Sequence, residues 1–126
     1  FGSAIYASAT GFDVATQLNG TSGFALTSTG PADITSIASV NDVNGDGLSD
    51  FAVMDRAANG GLGVVHVIFG SEGPMPSSID MSNLNSTQGF DITDPFGFPS
   101  NYTVGGLIGN ASVSGGGDVN GDGLGD

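Results

Sequence analysis

Two short loops hold six of the twelve aspartates in this 126-residue chain and are its best candidates for chemistry. Residues 42–50 (DVNGDGLSD), here called loop A, recur as residues 118–126 (DVNGDGLGD), here called loop B, with eight of nine positions identical. Oxygen-bearing side chains stand at loop positions one, three, five and nine, and a Gly for the sharp bend stands at position six. Hard oxygen ligands at this spacing suit Ca²⁺. The pattern therefore predicts one calcium site in each loop.

The predicted ligands combine four side chains with one main-chain carbonyl in each loop. In loop A they are Asp42, Asn44, Asp46, Asp50 and the Leu48 carbonyl; in loop B they are Asp118, Asn120, Asp122, Asp126 and the Leu124 carbonyl. Mg²⁺ fits less well because it demands octahedral geometry and sheds water reluctantly. An EF-hand would need Glu at position twelve, where loop A has Val53. The alternative is an ion-free turn, which would crowd three carboxylates into each loop. We expect the calcium site in loop A to be the better formed of the two, because a complete strand follows that loop.

Charge and composition exclude several functions. The chain has one Lys or Arg against 13 acidic residues and a net charge of -12, so it lacks the cations that nucleic-acid binding needs. It has no Cys, and therefore no disulfides or thiolate metal sites. The longest apolar stretch is interrupted by His66 and is far shorter than the roughly 18 residues of a membrane helix. We expect no nucleic-acid partner and no membrane span.

Other polar residues give weaker signals. His66 is the chain's one imidazole, and its alternating apolar neighbours place it on a sheet surface rather than in a catalytic site. Glycoside hydrolysis needs two carboxylates, but no spacing selects a pair from Glu72, Asp80, Asp91 and Asp94. We therefore predict that the segment is not an enzyme. Arg56 is expected to pair with an acidic neighbour. Sequons that permit glycosylation occur at Asn19, Asn85, Asn101 and Asn110.

The elements around the loops are predicted to be short strands. Apolar residues alternate over 50–54 and 63–69, with hairpin residues Asn59-Gly60-Gly61 between them. Further strands are expected near 23–29, 34–41, 89–94 and 107–114, with a looped insertion at 94–101, and no window has a helical stripe. Phe1-Gly2 recurs as Phe69-Gly70, which divides the chain into repeats 1–68 and 69–126. Short strands on a long period predict an all-β fold of β-propeller blades, each a four-stranded antiparallel sheet.

These motifs resemble the FG-GAP repeats of integrin α-subunit propellers and of bacterial surface or secreted proteins. The resemblance rests on the two FG pairs, the two DVNGDG loops, and the strand and linker phrases VHVIFG (65–70) and LNSTQGFDI (84–92), which are closest to the bacterial branch. One departure is Met54-Asp55-Arg56, where the family has Gly-Ala-Pro.

The resemblance implies a calcium-stabilised propeller segment of a secreted or cell-surface protein, acting in adhesion, recognition or structural assembly. The alternative is an accessory propeller of a larger secreted hydrolase or lyase. A propeller needs about four to eight blades, and the repeat period is 68 residues, so the chain holds about two incomplete repeats. The expected partners are therefore further blades or copies of the chain itself, with a protein or carbohydrate as ligand.

Overall fold

The computed structural model describes residues 18–93 and 113–126 of the chain. These residues form an all-β structure with two very short helical segments. In chain order the elements are β1 (Ala25–Thr27), β2 (Ile34–Asn41), β3 (Asp50–Asp55), α1 (Ala58–Gly61), β4 (Val64–Ile68), β5 (Ser78–Asp80), a 3₁₀ helix (Met81–Asn83) and β6 (Gly89–Ile92). Five of the predicted strands are confirmed, as β1, β2, β3, β4 and β6. The insertion at 94–101 lies outside the described residues, as does most of the strand expected near 107–114, whose last two residues are not in a strand.

The described residues divide into two compact units. The larger unit is described over residues 30–70, 84–93 and 113–126, and its centre is a four-stranded antiparallel sheet in the order β2-β3-β4-β6. The register pairs Ala38 with Ala52, Ala52 with Val67, and Val67 with Phe90, so these four side chains share one face. The predicted four-stranded antiparallel sheet is therefore present.

The two central strands are buried on both faces. One face carries a core of Val40, Ala52, Met54, Val65 and Val67, against which Val43, Phe69 and Val113 pack. On the opposite face Val53, His66 and Ile68 are 3% exposed or less. Burial on both sides explains why β4 is an apolar run broken only by His66 instead of an alternation of apolar and polar residues.

The turn between β3 and β4 contains the residues that the hairpin prediction named. Asn59, Gly60 and Gly61 have φ of 54°, 68° and 88°, in the left-handed region that Asn and Gly adopt most readily. The connection is longer than a two-residue hairpin, and its segment α1 is not a regular helical turn, because Asn59 and Gly60 have non-helical φ and ψ. The turn chemistry is thus confirmed in a wider turn.

The smaller unit is described over residues 18–29 and 71–83. Its strands β1 and β5 are parallel and pair over three residues, from Ala25 with Ser78 to Thr27 with Asp80. Ile79 and Met81 are its most buried large side chains, at 1% and 3% exposure. The sequence predicted neither β5 nor a parallel pair. Across all described residues, no helix has the length and hydropathy needed to cross a bilayer.

Candidate metal centres

The Asp42 carboxylate organises loop A. Its Oδ1 accepts the main-chain N–H of Gly45 at 2.7 Å and of Asp46 at 3.1 Å, and its Oδ2 accepts that of Gly47 at 2.8 Å. Gly45 and Gly47 have φ of 81° and 87°, which a residue with a side chain adopts only under strain. The glycines at positions four and six therefore allow the chain to wrap around the position-one carboxylate.

The side chains at positions three and five complete the turn. Asn44 Oδ1 accepts the Asp46 N–H at 3.0 Å, so the Asn44 and Asp42 side-chain oxygens converge on the same donor. Asn44 Nδ2 donates to Asp46 Oδ2 at 2.9 Å, and Asp46 Oδ1 accepts the Leu48 N–H at 2.8 Å. Loop A thus brings together the predicted ligands Asp42, Asn44 and Asp46.

Loop B has the same internal hydrogen bonds. Asp118 accepts the N–H groups of Gly121, Asp122 and Gly123 at 2.6, 3.0 and 2.8 Å. Asn120 Nδ2 donates to Asp122 Oδ2, and Asn120 Oδ1 accepts the Asp122 main-chain N–H, both at 3.0 Å. Asp122 Oδ1 accepts the Leu124 N–H at 2.9 Å. The near-identity of the two sequences therefore extends to the geometry of the two loops.

The position-nine aspartates close both loops in the same way. Asp50 Oδ2 accepts the Val43 N–H at 2.9 Å, and Asp126 Oδ2 accepts the Val119 N–H at 2.6 Å. Asp50 is 1% exposed, whereas Asp126 is exposed. Asp50 is also the first residue of β3, so loop A leads directly into the central sheet.

The FG pair contacts loop A. The Gly70 N–H donates to Asp50 Oδ1 at 2.8 Å. A Cβ on Gly70 would lie 2.7 Å from the Ser49 carbonyl oxygen, so only Gly allows this approach. The preceding Phe69 packs against the sheet core and its ring centre lies 5.9 Å from that of Phe90. The FG pair therefore anchors the end of loop A to the sheet, a role that the sequence motif alone does not reveal.

The described side-chain ion pairs do not include the loop aspartates. The chain contains a single Arg and no Lys, while the two loops contain six aspartates. Two ion pairs are described, Arg56 with Asp33 and His66 with Asp91, and neither includes a loop aspartate. Side-chain cations are therefore too few to neutralise the loop carboxylates.

The donor chemistry of each loop fits Ca²⁺. Each loop supplies three carboxylates, one amide oxygen and main-chain carbonyls, all of them hard oxygen donors. Each carboxylate oxygen has two lone pairs, so the Oδ2 atoms of Asp42 and Asp118, which each accept one loop N–H, retain capacity for an ion, whereas their Oδ1 atoms already accept two N–H groups each. Among the described residues, no three acidic or His side chains are grouped so that they alone could hold a metal ion. A site here therefore depends on the Asn and carbonyl oxygens together with the carboxylates.

The remaining candidate residues have structural partners. The predicted local ion pair of Arg56 is confirmed, because its guanidinium contacts the Asp33 carboxylate, with Nε 2.8 Å from Oδ2. His66 lies on the sheet, as its neighbours indicated, and its Nδ1 is 2.7 Å from Asp91 Oδ1, directly across from β4 to β6. The His66 side chain is 4% exposed, so it has little access to a substrate.

Asp55 is a structural residue that the sequence did not single out. It is 1% exposed, and its Oδ1 accepts the N–H groups of Asp33 at 2.9 Å and Ala57 at 3.0 Å. It lies within the Met54-Asp55-Arg56 departure and joins the end of β3 to the residues before β2. An aspartate at the end of an apolar strand was the sequence feature that could have indicated this buried structural role.

Comparison with family models, with curated proteins and with solved structures yields no match to this chain. The assignment of function consequently rests on the loops and on the sheet that carries them.

Proposed function

We infer that this chain is a calcium-binding FG-GAP propeller segment of a secreted or cell-surface protein. The observation that carries this proposal is the repeated loop: two distant segments form the same hydrogen-bonded turn and together hold six carboxylates in a chain with one Arg. A divalent cation bound to oxygen donors removes the repulsion among these carboxylates. Calcium is then a structural cofactor, held by Asp42, Asn44, Asp46, Asp50 and the Leu48 carbonyl in loop A and by their equivalents in loop B.

The sheet supports a propeller blade. Its four antiparallel strands follow one another across the sheet in chain order, as β2-β3-β4-β6, which is the arrangement of a meander. Its outer strands carry large apolar side chains that are partly exposed, namely Ile37 at 64%, Phe90 at 43% and Ile92 at 46%. Phe90 and Ile92 stand two residues apart on one face of the outer strand β6, and neighbouring exposed apolar side chains of this kind favour further packing. The partners in this proposal are neighbouring blades or copies of the same chain.

The proposed role is adhesion, recognition or structural assembly, with a protein or carbohydrate ligand, and not catalysis. The burial of His66 and its pairing with Asp91 support the absence of a catalytic centre on these residues. The resemblance to FG-GAP repeats is the basis for the extracellular location, where calcium concentrations are about 1 mM.

Calorimetric titration of the full chain with CaCl₂ tests the proposal. At affinities of extracellular modules, about 10⁻⁴ to 10⁻³ M, we expect each site to add about 0.4 to 1.4 kcal/mol of stability in about 1 mM calcium. Asp46→Ala should weaken binding at loop A and Asp122→Ala at loop B. Asp80→Ala is the matched control, because Asp80 is a partly exposed aspartate at the end of β5, outside both loops. Equal weakening by all three variants, or no heat in the unaltered chain, would refute calcium binding by the loops.

A further inference from the structure

The single sequence difference between the two loops lies at position eight, where loop A has Ser49 and loop B has Gly125. This position is also where the loops meet. The Gly125 N–H donates to the Asp42 carbonyl oxygen at 2.6 Å, and both residues belong to the larger unit. The one substitution between otherwise identical loops therefore falls on the residue that joins them.

Gly125 has no space for a side chain. An added Cβ would lie 2.1 Å from the Val40 carbonyl oxygen, 2.9 Å from Asn41 Cβ and 3.1 Å from the Asp42 main-chain nitrogen. Two of these atoms are main-chain atoms, which cannot move aside as a flexible side chain can. Any larger residue at position 125 must therefore separate loop B from the end of β2.

Further contacts extend along the same edge. A Cβ on Gly45 of loop A would lie 3.4 Å from Leu124 Cδ2 of loop B, an ordinary packing distance. Before loop B, the Val113 main-chain N–H and carbonyl both bond to Ser36 Oγ on β2, at 3.3 and 3.2 Å. Residues 113–126 are thus held against β2 and loop A at several points, of which Gly125 is the tightest.

We propose that Gly125 couples the two loops, so that ordering of one favours ordering of the other. Asp42 supplies position one of loop A through its side chain, and its carbonyl holds Gly125. Gly125 immediately precedes Asp126, position nine of loop B. Fixing either loop consequently restrains a ligand position of the other, and such coupling is reciprocal. Resting on the proposed function, this inference predicts that the two loops bind Ca²⁺ cooperatively.

Gly125→Ser tests the coupling, because it makes loop B identical to loop A and removes no predicted ligand. Ser49→Gly is the matched control, since it makes the reverse exchange away from the loop contact. Amide hydrogen exchange by NMR in calcium-free buffer reports the coupling without any ion. In Gly125→Ser we expect faster exchange of the Gly47 amide, which lies in the unaltered loop A, whereas Ser49→Gly should leave exchange in loop B unchanged.

A calcium titration of the same proteins supplies the second readout. The unaltered chain should bind with a Hill coefficient above 1, and Gly125→Ser should lower it to 1 and weaken loop A about fivefold or more. If Gly125→Ser prevents folding, Leu124→Ala should give a smaller change in the same direction, since it keeps the Leu124 carbonyl and removes the side chain whose Cδ2 lies beside Gly45. Unchanged Gly47 exchange in a folded variant overturns the coupling. Faster Gly47 exchange without calcium binding by any protein supports the coupling and overturns the calcium function instead.

Discussion

Loop A and loop B form the same turn in different surroundings. The three hydrogen bonds to the position-one carboxylate differ in length by 0.1 Å or less between the loops. At position nine, however, Asp50 is buried and accepts the Gly70 N–H, whereas the described bonds to the exposed Asp126 side chain come from within loop B. The nine-residue sequence therefore determines the turn, and in loop A the Gly70 N–H adds a hydrogen bond from outside the loop.

Removal of the position-nine carboxylate should give the largest difference between the two loops in the free energy of unfolding that is lost. Asp50→Ala leaves two N–H groups without acceptors beside a buried site, and we expect it to cost about 3 kcal/mol. Asp126→Ala removes an exposed acceptor and should cost about 1 kcal/mol or less. Urea unfolding in the presence of a chelator measures both losses without any contribution from calcium. Equal losses would contradict the difference in anchoring.

The FG pair allows a second test of how loop A is anchored, because Gly70 contacts this loop. Gly70→Ala places a Cβ 2.7 Å from the Ser49 carbonyl oxygen and 3.0 Å from Leu48 Cβ, and we expect a cost of about 2 kcal/mol. Gly73→Ala is the control, since no atom lies within 4 Å of its added Cβ, and it should stay within about 0.5 kcal/mol. Thermal unfolding compares the two. A Gly70→Ala protein as stable as the control would show that the FG pair does not anchor loop A.

Substitution of the position-three residues should have nearly the same effect in the two loops. Asn44 and Asn120 make matching amide contacts with the aspartate two residues later, at 2.9 to 3.0 Å. Replacing either with Ala should cost about 1 kcal/mol, with the two values within about 0.5 kcal/mol of each other. Urea unfolding in chelator again supplies the measurement. Unequal costs would mean that the surroundings alter the turn itself.

Asp80 provides a baseline aspartate turn outside the loops, with the smallest expected effect. The hydrogen bond from the Asn83 side chain, with a second from the Ser82 N–H, lowers the pKa of Asp80 below its ordinary value of 3.8. Because the pKa of Asp80 is lowered on folding, its ionised carboxylate stabilises the folded state at pH values above the ordinary pKa. That contribution is lost as the pH falls through the folded-state pKa. Asn83→Ala should raise the pKa toward 3.8 in an NMR titration of the Asp80 carboxyl. A fall in the pKa of that variant would contradict the assigned cause.

Local patterns in the sequence predict the strands and turns of the larger unit well. The alternation that starts at Asp50 and the apolar run around His66 mark the two central strands, and Asn59-Gly60 marks the turn between them. β5 escaped prediction because a three-residue strand with one apolar side chain has no measurable period. Its parallel pairing with β1 joins residues 53 apart, as in Ala25 with Ser78.

The candidate site likewise has local features that the sequence predicts and long-range contacts that it does not. The repeat alone identifies every predicted ligand, because the turn is local and depends on Gly and Asp at fixed spacing. The anchoring of Asp50 by Gly70 and the contact of Gly125 with Asp42 join residues 20 and 83 positions apart. Such contacts depend on how the sheet brings distant segments together. Gly125 was visible in the sequence as the one mismatch between the loops, but only the structure shows what the mismatch accommodates.

The most direct test of the central claim follows the amides of Gly47 and Gly123 by NMR during a calcium titration of the full chain. Each amide donates to its position-one carboxylate at 2.8 Å, so each reports an ion bound at that carboxylate. We predict that both resonances shift saturably, that both return on addition of a chelator, and that the Ser82 amide at Asp80 stays in place. Shifts that grow linearly without saturation, or that affect the Ser82 amide equally, would contradict calcium binding by the two loops.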